Sequence, residues 1–376
     1  MVSDAAPRVL AIIGDDSGPT LWRIWQPFAE LQKHGVFAHW KHVQDPELQD
    51  PTFQLQVVLK FDAILLARMS WAHRVAARIQ LNAFHRAGMP VWLEIDDDMF
   101  SPGIVPRQYT VFERDRAKGL EQLERERQDR LWLLRQVDGV TVSTRRLQTI
   151  VRQHTEAPIE VVPNALDLRW FYATLRGVRR IVPPLTIGWA GGARNQADLF
   201  PVAAAWARIA LRYPEVTFVV SGHMSDALVD SVPPERVRRL PWLPLAEYPR
   251  ALLNIDIACA SVAPALFNTA KTPIKLWEYT AAGAACVVSP TLYAPYVSDG
   301  SDALVAETAG EWEAALSRLI DSPDLRRTLR RAQRRRLACE HSLERTWQRW
   351  PIVWTRLLED YRTSSATPTI VTAATA

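Results

Sequence analysis

Cysteine is scarce. Only Cys259, Cys286 and Cys339 occur in 376 residues, far apart, and the first two fall inside apolar stretches that read as strands. That pattern argues against a disulfide framework and a cysteine-based zinc site, and it fits a reducing compartment. Long apolar runs are missing as well: none approaches the roughly 18 residues of a membrane span. The opening MVSDAAPRVLAIIG has no basic region ahead of its short apolar run, so no signal peptide is expected. A cytoplasmic location follows, with peripheral contact to a membrane as an alternative. A strong excess of one charge is also lacking. Lys and Arg number 45 against 41 Asp and Glu, a net +4, which does not describe a surface coated for nucleic acid. No GxGxxG follows the first apolar strand, which removes the dinucleotide fingerprint.

What is present suits a soluble globular chain: 48% apolar and 23% charged residues, over a length sufficient for two full cores. Fifteen tryptophans are many for this length. Most read as core, Trp22 and Trp25 among them, while Trp189 is a candidate platform for a sugar or base.

Strand and helix signals alternate from the start. RVLAIIG (8–14) reads as a buried strand, DDSGPT as a turn, and Leu21 to His34 as a helix closed by Gly35. Gly18 and Arg23 then stand beside the strand's carboxyl end as candidate cleft residues. Further strands are expected at 36–40, 62–67, 90–94, 138–143 and 159–162, with helices at 71–87, 113–135 and 144–153. Such alternation implies a parallel sheet covered by helices, with ligands beyond the carboxyl ends of the strands. Asp96, Asp97 and Asp98 follow one such end. They read as a general base or charge stabiliser, as an Asp-x-Asp metal pair, or as an acidic turn, with Asp96 the first choice and Asp98 second.

Between 164 and 184 the pattern loses its period, which suggests a connection between domains. A second series begins at 185–189. The glycine pair Gly191–Gly192 and Arg194 follow that strand and could approach a phosphate; Gly222 and His223 follow the next, at 216–221. Helices are expected at 198–212, 245–254 and 308–320, and strands at 255–260 and 284–288.

The stretch FNTAKTPIKLWEYTAAGAACVVS (267–289) is the most informative. Thr272 suits an N-cap, Pro273 a first helical position, and Gly283 a left-handed C-terminal cap. Lys271, Lys275 and Glu278, spaced four and three apart, share one face, with Ile274, Trp277 and Ala281 on the other. Free N–H groups and lysine at a helix start suit a diphosphate, and a carboxylate one turn on suits vicinal hydroxyls. The same spacing also fits a solvated Lys–Glu pair. Its place between two parallel strands favours the site, with Asn268 as a neighbour. From Ser322 a last helix reaches about 340, with Arg326, Arg330 and Arg334 in one row and Arg327, Arg331 and Arg335 in the next. This basic face, running to Arg336, could meet an anionic polymer or lipid, or simply water.

KLWEYTAAGAACVVSP, LTIGWAGG, VDGVTVST, VVPNALD and LEIDDDMF together resemble the retaining, group 1 (family 4-like) glycosyltransferases of the GT-B type. The resemblance implies an α/β chain of two Rossmann-like domains whose parallel sheets face each other across a cleft, with the C-terminal helices returning to the first domain. The expected plan is an acceptor-side domain at 1–178, a nucleotide-sugar-binding domain at 179–345, a C-terminal helix at 346–362 and a disordered tail at 363–376. The resemblance further implies that Glu278 binds the donor's ribose hydroxyls and that Lys271, Lys275 and Arg194 hold its diphosphate. The family often carries a second Glu eight positions before the first, where this chain has Ala270; it often has a His after the glycines, where this chain reads Arg194–Asn195; and Asp96 takes the place of a cleft His. The implied reaction moves a sugar from a nucleotide-diphosphate sugar to a hydroxyl of a glycan, a lipid-linked or another acceptor, with retention and without a metal or further cofactor. Rival readings are a transferase acting on hydroxymethylated DNA bases through the Arg326–Arg336 helix, a nucleotide-sugar epimerase or hydrolase, and a non-catalytic sugar-nucleotide-binding module.

Overall fold

A computed structural model describes residues 6–50, 56–57, 59–67, 74–101, 116–182, 185–192, 198–222 and 226–366. The described strands form two six-stranded sheets, and every pairing within them is parallel. The first holds β1 (Val9–Ile13), β2 (Ala38–His42), β3 (Ala63–Ala67), β4 (Val91–Ile95), β5 (Gly139–Val142) and β6 (Ile159–Val161) in the order β2-β1-β3-β4-β5-β6. The second holds β7 (Thr186–Ala190), β8 (Thr217–Ser221), β9 (Val237–Leu240), β10 (Ile257–Ala260), β11 (Ala285–Val288) and β12 (Leu304–Val305) in the order β12-β11-β10-β7-β8-β9. The expected α/β class with two Rossmann-like parallel sheets is therefore observed. In the second sheet the chain runs outward from β7 in one direction through β8 and β9, and in the other through β10, β11 and β12. The crevice of such a sheet opens at the carboxyl ends of the two strands where the order reverses, here β7 and β10.

The chain divides into two compact units. One comprises Met1–Asp96, Glu124–Pro163 and Trp347–Ala376, the other Asp97–Leu123 and Asn164–Thr346. The C-terminal helix Arg349–Ala366 belongs to the first unit, where Trp350, Val353, Trp354, Leu357 and Leu358 join the core of Val9, Ala11, Ile13, Phe28 and Leu65. Trp354 meets Phe28 edge to face at 5.5 Å. Residues 363–366, expected in the tail, are helical; residues 367–376 lie outside the described residues.

The helix expected from Leu21 to His34 is built in three pieces: a turn at Gly18–Thr20, a π-helical turn at Leu21–Trp25, and an α-helix at Gln26–Lys33. Pro27 accounts for the widened turn, because it has no N–H to return to the preceding turn. Arg23 on this segment is not a cleft residue. It is buried, and its guanidinium meets the Glu94 carboxylate of β4 at 2.6 and 3.0 Å, with Trp350 stacked 4.9 Å away. The guanidinium also donates to the Val162 carbonyl, and the Thr141 hydroxyl donates to Glu94. Burial pushes the Glu94 carboxyl above its ordinary range, while Arg23 and Thr141 act in the opposite sense.

Among the short elements that were not expected are one helix and two strands. The helix Leu168–Leu175 lies in the stretch read as irregular and is capped by Asp167, whose carboxylate accepts from Trp170 N–H at 2.8 Å. Both edge strands of the second sheet, β9 and β12, also escape the pattern, since VRRL has no apolar alternation and a two-residue strand has no period at all.

Removing one partner of a buried ion pair leaves the other charge uncompensated. Arg23→Met is expected to destabilise the folded chain by roughly 3–5 kcal/mol, and Arg23→Met with Glu94→Gln by clearly less, as read by denaturant unfolding.

Candidate functional site

The site helix runs Ile274–Ala282. Thr272 was expected to cap it but does not: Pro273 occupies the N-cap position, its carbonyl accepting from Leu276 N–H at 2.9 Å. Thr272, one residue too early, instead accepts from the Asn164 amide at 2.9 Å. The C-terminus matches expectation, with Gly283 left-handed at φ 92° and its N–H returned to Thr280. The expected division into one polar and one apolar face does not hold, because Glu278 is only 4% exposed among Leu276, Trp277, Tyr279 and Ala281, which are also buried.

Two side chains of this helix grip one residue at the end of β7. Lys275 Nζ donates to the Ala190 carbonyl at 2.6 Å. Tyr279 Oη accepts from Ala190 N–H at 2.7 Å and donates to the same carbonyl at 3.2 Å. Gly191, next in the chain, has φ 143°, and a Cβ there would fall on Lys275 Nζ. Gly222, after β8, has φ 124°, and a Cβ there would fall on the Gly191 carbonyl. Both glycines are thus required by backbone conformation and by close approach. Lys275 lies 5.3 Å from the Trp189 ring centroid. Trp189 itself is a core residue only 3% exposed, not the open stacking platform it was read as.

Glu278 sits one turn beyond Lys275. Burial pushes its carboxyl up to about 7, against the attraction of Lys275 and the opposing influence of the Tyr248 hydroxyl. Tyr248 opens the short helix Tyr248–Leu252, which packs against the site helix. With its folded value above the unfolded 4.5, Glu278 contributes stability that is full at low pH and is lost as pH rises through about 7.

The other candidate residues are placed variously. Lys271 precedes the helix, its Nζ 4.5 Å from the Phe267 ring centroid. Asn268 is buried and stitches the loop after β10, donating to Asp198 at 3.2 Å and to the Ala263 carbonyl at 2.9 Å; it is structural, not an open cleft group. Gly192 is exposed. Gly18 begins a helical turn where a Cβ would make only ordinary contact, 3.6 Å from Trp22 Nε1. Asp96 is half-buried, its carbonyl accepting from the Ser143 hydroxyl at 3.1 Å. Asp98 is 1% exposed, and its Oδ1 accepts from Phe100 and Ser101 N–H groups at 3.1 and 3.0 Å. Arg194 and His223 lie outside the described residues. Among the described residues no three His, Cys, Asp or Glu side chains cluster as metal ligands.

The arginine face is narrower than its spacing implied. On the helix Pro323–Arg336, Arg326 donates to the Leu319 and Ile320 carbonyls, Arg330 to the Asp256 carbonyl at 2.9 Å, and Arg336 pairs with Asp302 at 2.8 Å. The exposed ones are Arg327, Arg331, Arg334 and Arg335, of which Arg327 pairs with Asp324. Tyr248 and Tyr279 went unread in the sequence, and Gly222 was read only as part of a turn. Tyr279 adjoins Glu278, and Gly222 follows a strand, but no spacing links residue 248 to residue 278.

With this geometry in place, the chain can be compared with known proteins. Residues 202–351, which include the site helix, match the family model described as glycosyl transferase-like. By sequence alone, no curated protein matches the chain. Solved structures share its fold. HepE of Anabaena is 14% identical, over 95% of this chain and 100% of that one, with a TM-score of 0.58. Sucrose-phosphate synthase of Thermosynechococcus elongatus is 14% identical, over 94% and 99%, with a TM-score of 0.62. UDP-GlcNAc 2-epimerase of Neisseria meningitidis is 13% identical, over 93% and 99%, with a TM-score of 0.52. The fold is GT-B, and the part of the chain that carries the site helix is similar to the glycosyl transferase-like family.

Replacing Gly191 by Ala strains a positive φ by roughly 1–3 kcal/mol and displaces a flexible ammonium. Gly222→Ala meets a backbone carbonyl and is expected to cost more. In thermal unfolding, Gly191→Ala should cost less in a Lys275→Ala background than alone, because the clash is gone.

Proposed function

We propose that the chain transfers a glycosyl group from a nucleotide-diphosphate sugar to an acceptor hydroxyl, and that the site helix holds the donor. The observation that carries this reading is the pairing of a half-buried lysine with a buried carboxylate on the first two turns of a helix, beside the switch point of β7 and β10. Lys275 and Lys271 offer positive charge to the leaving diphosphate, and Arg194 would add to it. The helix N-terminus adds the positive end of its dipole toward the same anion. Glu278 accepts from the vicinal hydroxyls of the nucleoside. HepE has been solved in complex with UDP and with UDP-glucose, which supports a uridine nucleotide as the first donor to test.

In the reaction the bond from the anomeric carbon to the diphosphate breaks, its electron pair leaving with the diphosphate, while the acceptor oxygen bonds to that carbon through an oxocarbenium-like transition state. The acceptor proton passes to a base, the role assigned to Asp96. Charge stabilisation at the diphosphate is the largest demand, and preorganised cations meet it without reorganisation at the moment of reaction. Retention without a metal is the course the family resemblance implies. Chelator should then leave turnover unchanged, whereas a metal held at Asp96 and Asp98 would make activity vanish with chelator and return with manganese or magnesium.

The DNA-base reading loses part of its support because Arg326, Arg330 and Arg336 bond inward. The epimerase reading shares only the fold with its neighbour. A mass-spectrometric screen of nucleotide sugars separates the outcomes. A transferase makes a glycosylated acceptor, an epimerase or hydrolase consumes donor alone, and a binding module does neither.

Glu278→Ala and Lys275→Ala are each expected to abolish saturable nucleoside-diphosphate binding in calorimetry; wild-type-like binding in both would sink the site assignment. Because the ionised carboxylate is the better acceptor, binding should strengthen as pH rises through about 7, and this rise should be absent in Glu278→Gln.

A further inference from the structure

An ammonium on a flexible four-carbon stem serves a diphosphate reproducibly only where a second contact holds it in place. On the site helix that contact is with backbone. Lys275 Nζ donates to the Ala190 carbonyl at 2.6 Å, and an ammonium carries two further N–H donors besides the one so used. Ala190 is itself clamped. Tyr279, one turn further along the same helix, accepts from the Ala190 N–H at 2.7 Å and donates to the Ala190 carbonyl at 3.2 Å through a single hydroxyl. Ala190 and Tyr279 are both fully buried, so water does not substitute for that hydroxyl. Gly191 completes the arrangement: at φ 143° it has no side chain in the place that the Lys275 ammonium fills.

We propose that Tyr279 is a positioning residue for diphosphate recognition: by holding both backbone groups of Ala190 it fixes the carbonyl that anchors the Lys275 ammonium, and so sets where that charge meets the donor's diphosphate. The inference rests on the proposed donor site, in which Lys275 faces the diphosphate. It divides donor binding into two parts on one helix. Tyr279 bears on the phosphates, acting through Lys275, while the nucleoside is assigned to Glu278.

The test compares UDP with uridine, which has the same base and ribose but no phosphate, by ligand-observed NMR titration of the full chain. Wild type, Tyr279→Phe, Gly191→Ala and Lys275→Ala are measured side by side. Tyr279→Phe removes one oxygen and should weaken UDP binding about tenfold while leaving uridine binding unchanged. Gly191→Ala drives the ammonium off Ala190 with the Tyr279 hydroxyl in place, and should lower the ratio of UDP to uridine affinity in the same sense. A Tyr279→Phe chain with the wild-type ratio overturns the proposal, whether both affinities are kept or both fall, because only packing would then have been disturbed. If thermal unfolding shows that Tyr279→Phe does not fold, Gly191→Ala decides: a lowered ratio supports the anchoring of the ammonium at Ala190, and an unchanged ratio overturns it. Wild-type UDP binding by Lys275→Ala instead sinks the donor-site reading, and the proposal with it.

Discussion

The peptide unit of Ala190 fixes the geometry of the candidate site. It is the last residue of β7, and its carbonyl and N–H would otherwise point past the end of the sheet into the crevice. Tyr279 pairs with both groups and Lys275 with the carbonyl, so one helix is tied to one strand end by three hydrogen bonds. Buried backbone groups of this kind are costly to leave unpaired, and the helix supplies their partners from side chains rather than from another strand. The two positive-φ glycines follow from this. Gly191 leaves room for the lysine, and Gly222 leaves room for the turn that Gly191 makes.

Glu94 and Glu278 are both buried, and the chain treats them differently. Glu94 has a guanidinium in two-point contact and a hydroxyl besides, so its charge is compensated within the first unit's core. Glu278 has one phenol and a lysine whose ammonium is shared with a carbonyl. Compensation is therefore incomplete, and burial pushes the Glu278 carboxyl up to about 7. Incomplete compensation is a cost to the ligand-free fold and supports the proposal that Glu278 faces a ligand. Arg23 and Glu278 exchange the roles that a reading of surface charge would give them: the arginine near the first strand end is structural, and the acid within a buried helix is the stronger site candidate.

Legible in the sequence were the elements with a long period or a strong terminal signal. The alternation of strands and helices and the glycine end of the site helix follow from apolar periodicity and capping chemistry. Lys275 and Glu278 were legible as a pair by spacing, though not their burial, because a four-residue repeat does not say which side of a helix faces the sheet. Thr272 misled because Thr followed by Pro is a common helix start, and here the proline's own ψ of 33° moved the start along by one. Asn268 and Arg23 misled because polarity beside a strand end reads as exposure, whereas each is buried with its own partners. Tyr248 was beyond reach, since a contact between residues far apart in the chain leaves no periodic trace.

Ala270 bears on which sugar the chain handles. It is fully buried, at the end of the short helix Leu266–Thr269. A glutamate at this place, as the related transferases often have, would bring a carboxylate into a position that the surrounding fold closes off from water, and burial of a charge requires partners built for it. The adjacent polar side chain, Asn268, is already spent on Asp198 and Ala263. The departure is thus accommodated by local packing and is not a bare deletion in an otherwise conventional pocket. An alanine has no polar atom beyond its backbone with which to read a sugar hydroxyl. Under the proposed donor site, discrimination among sugars falls to groups other than Ala270, outside the helix that begins four residues later.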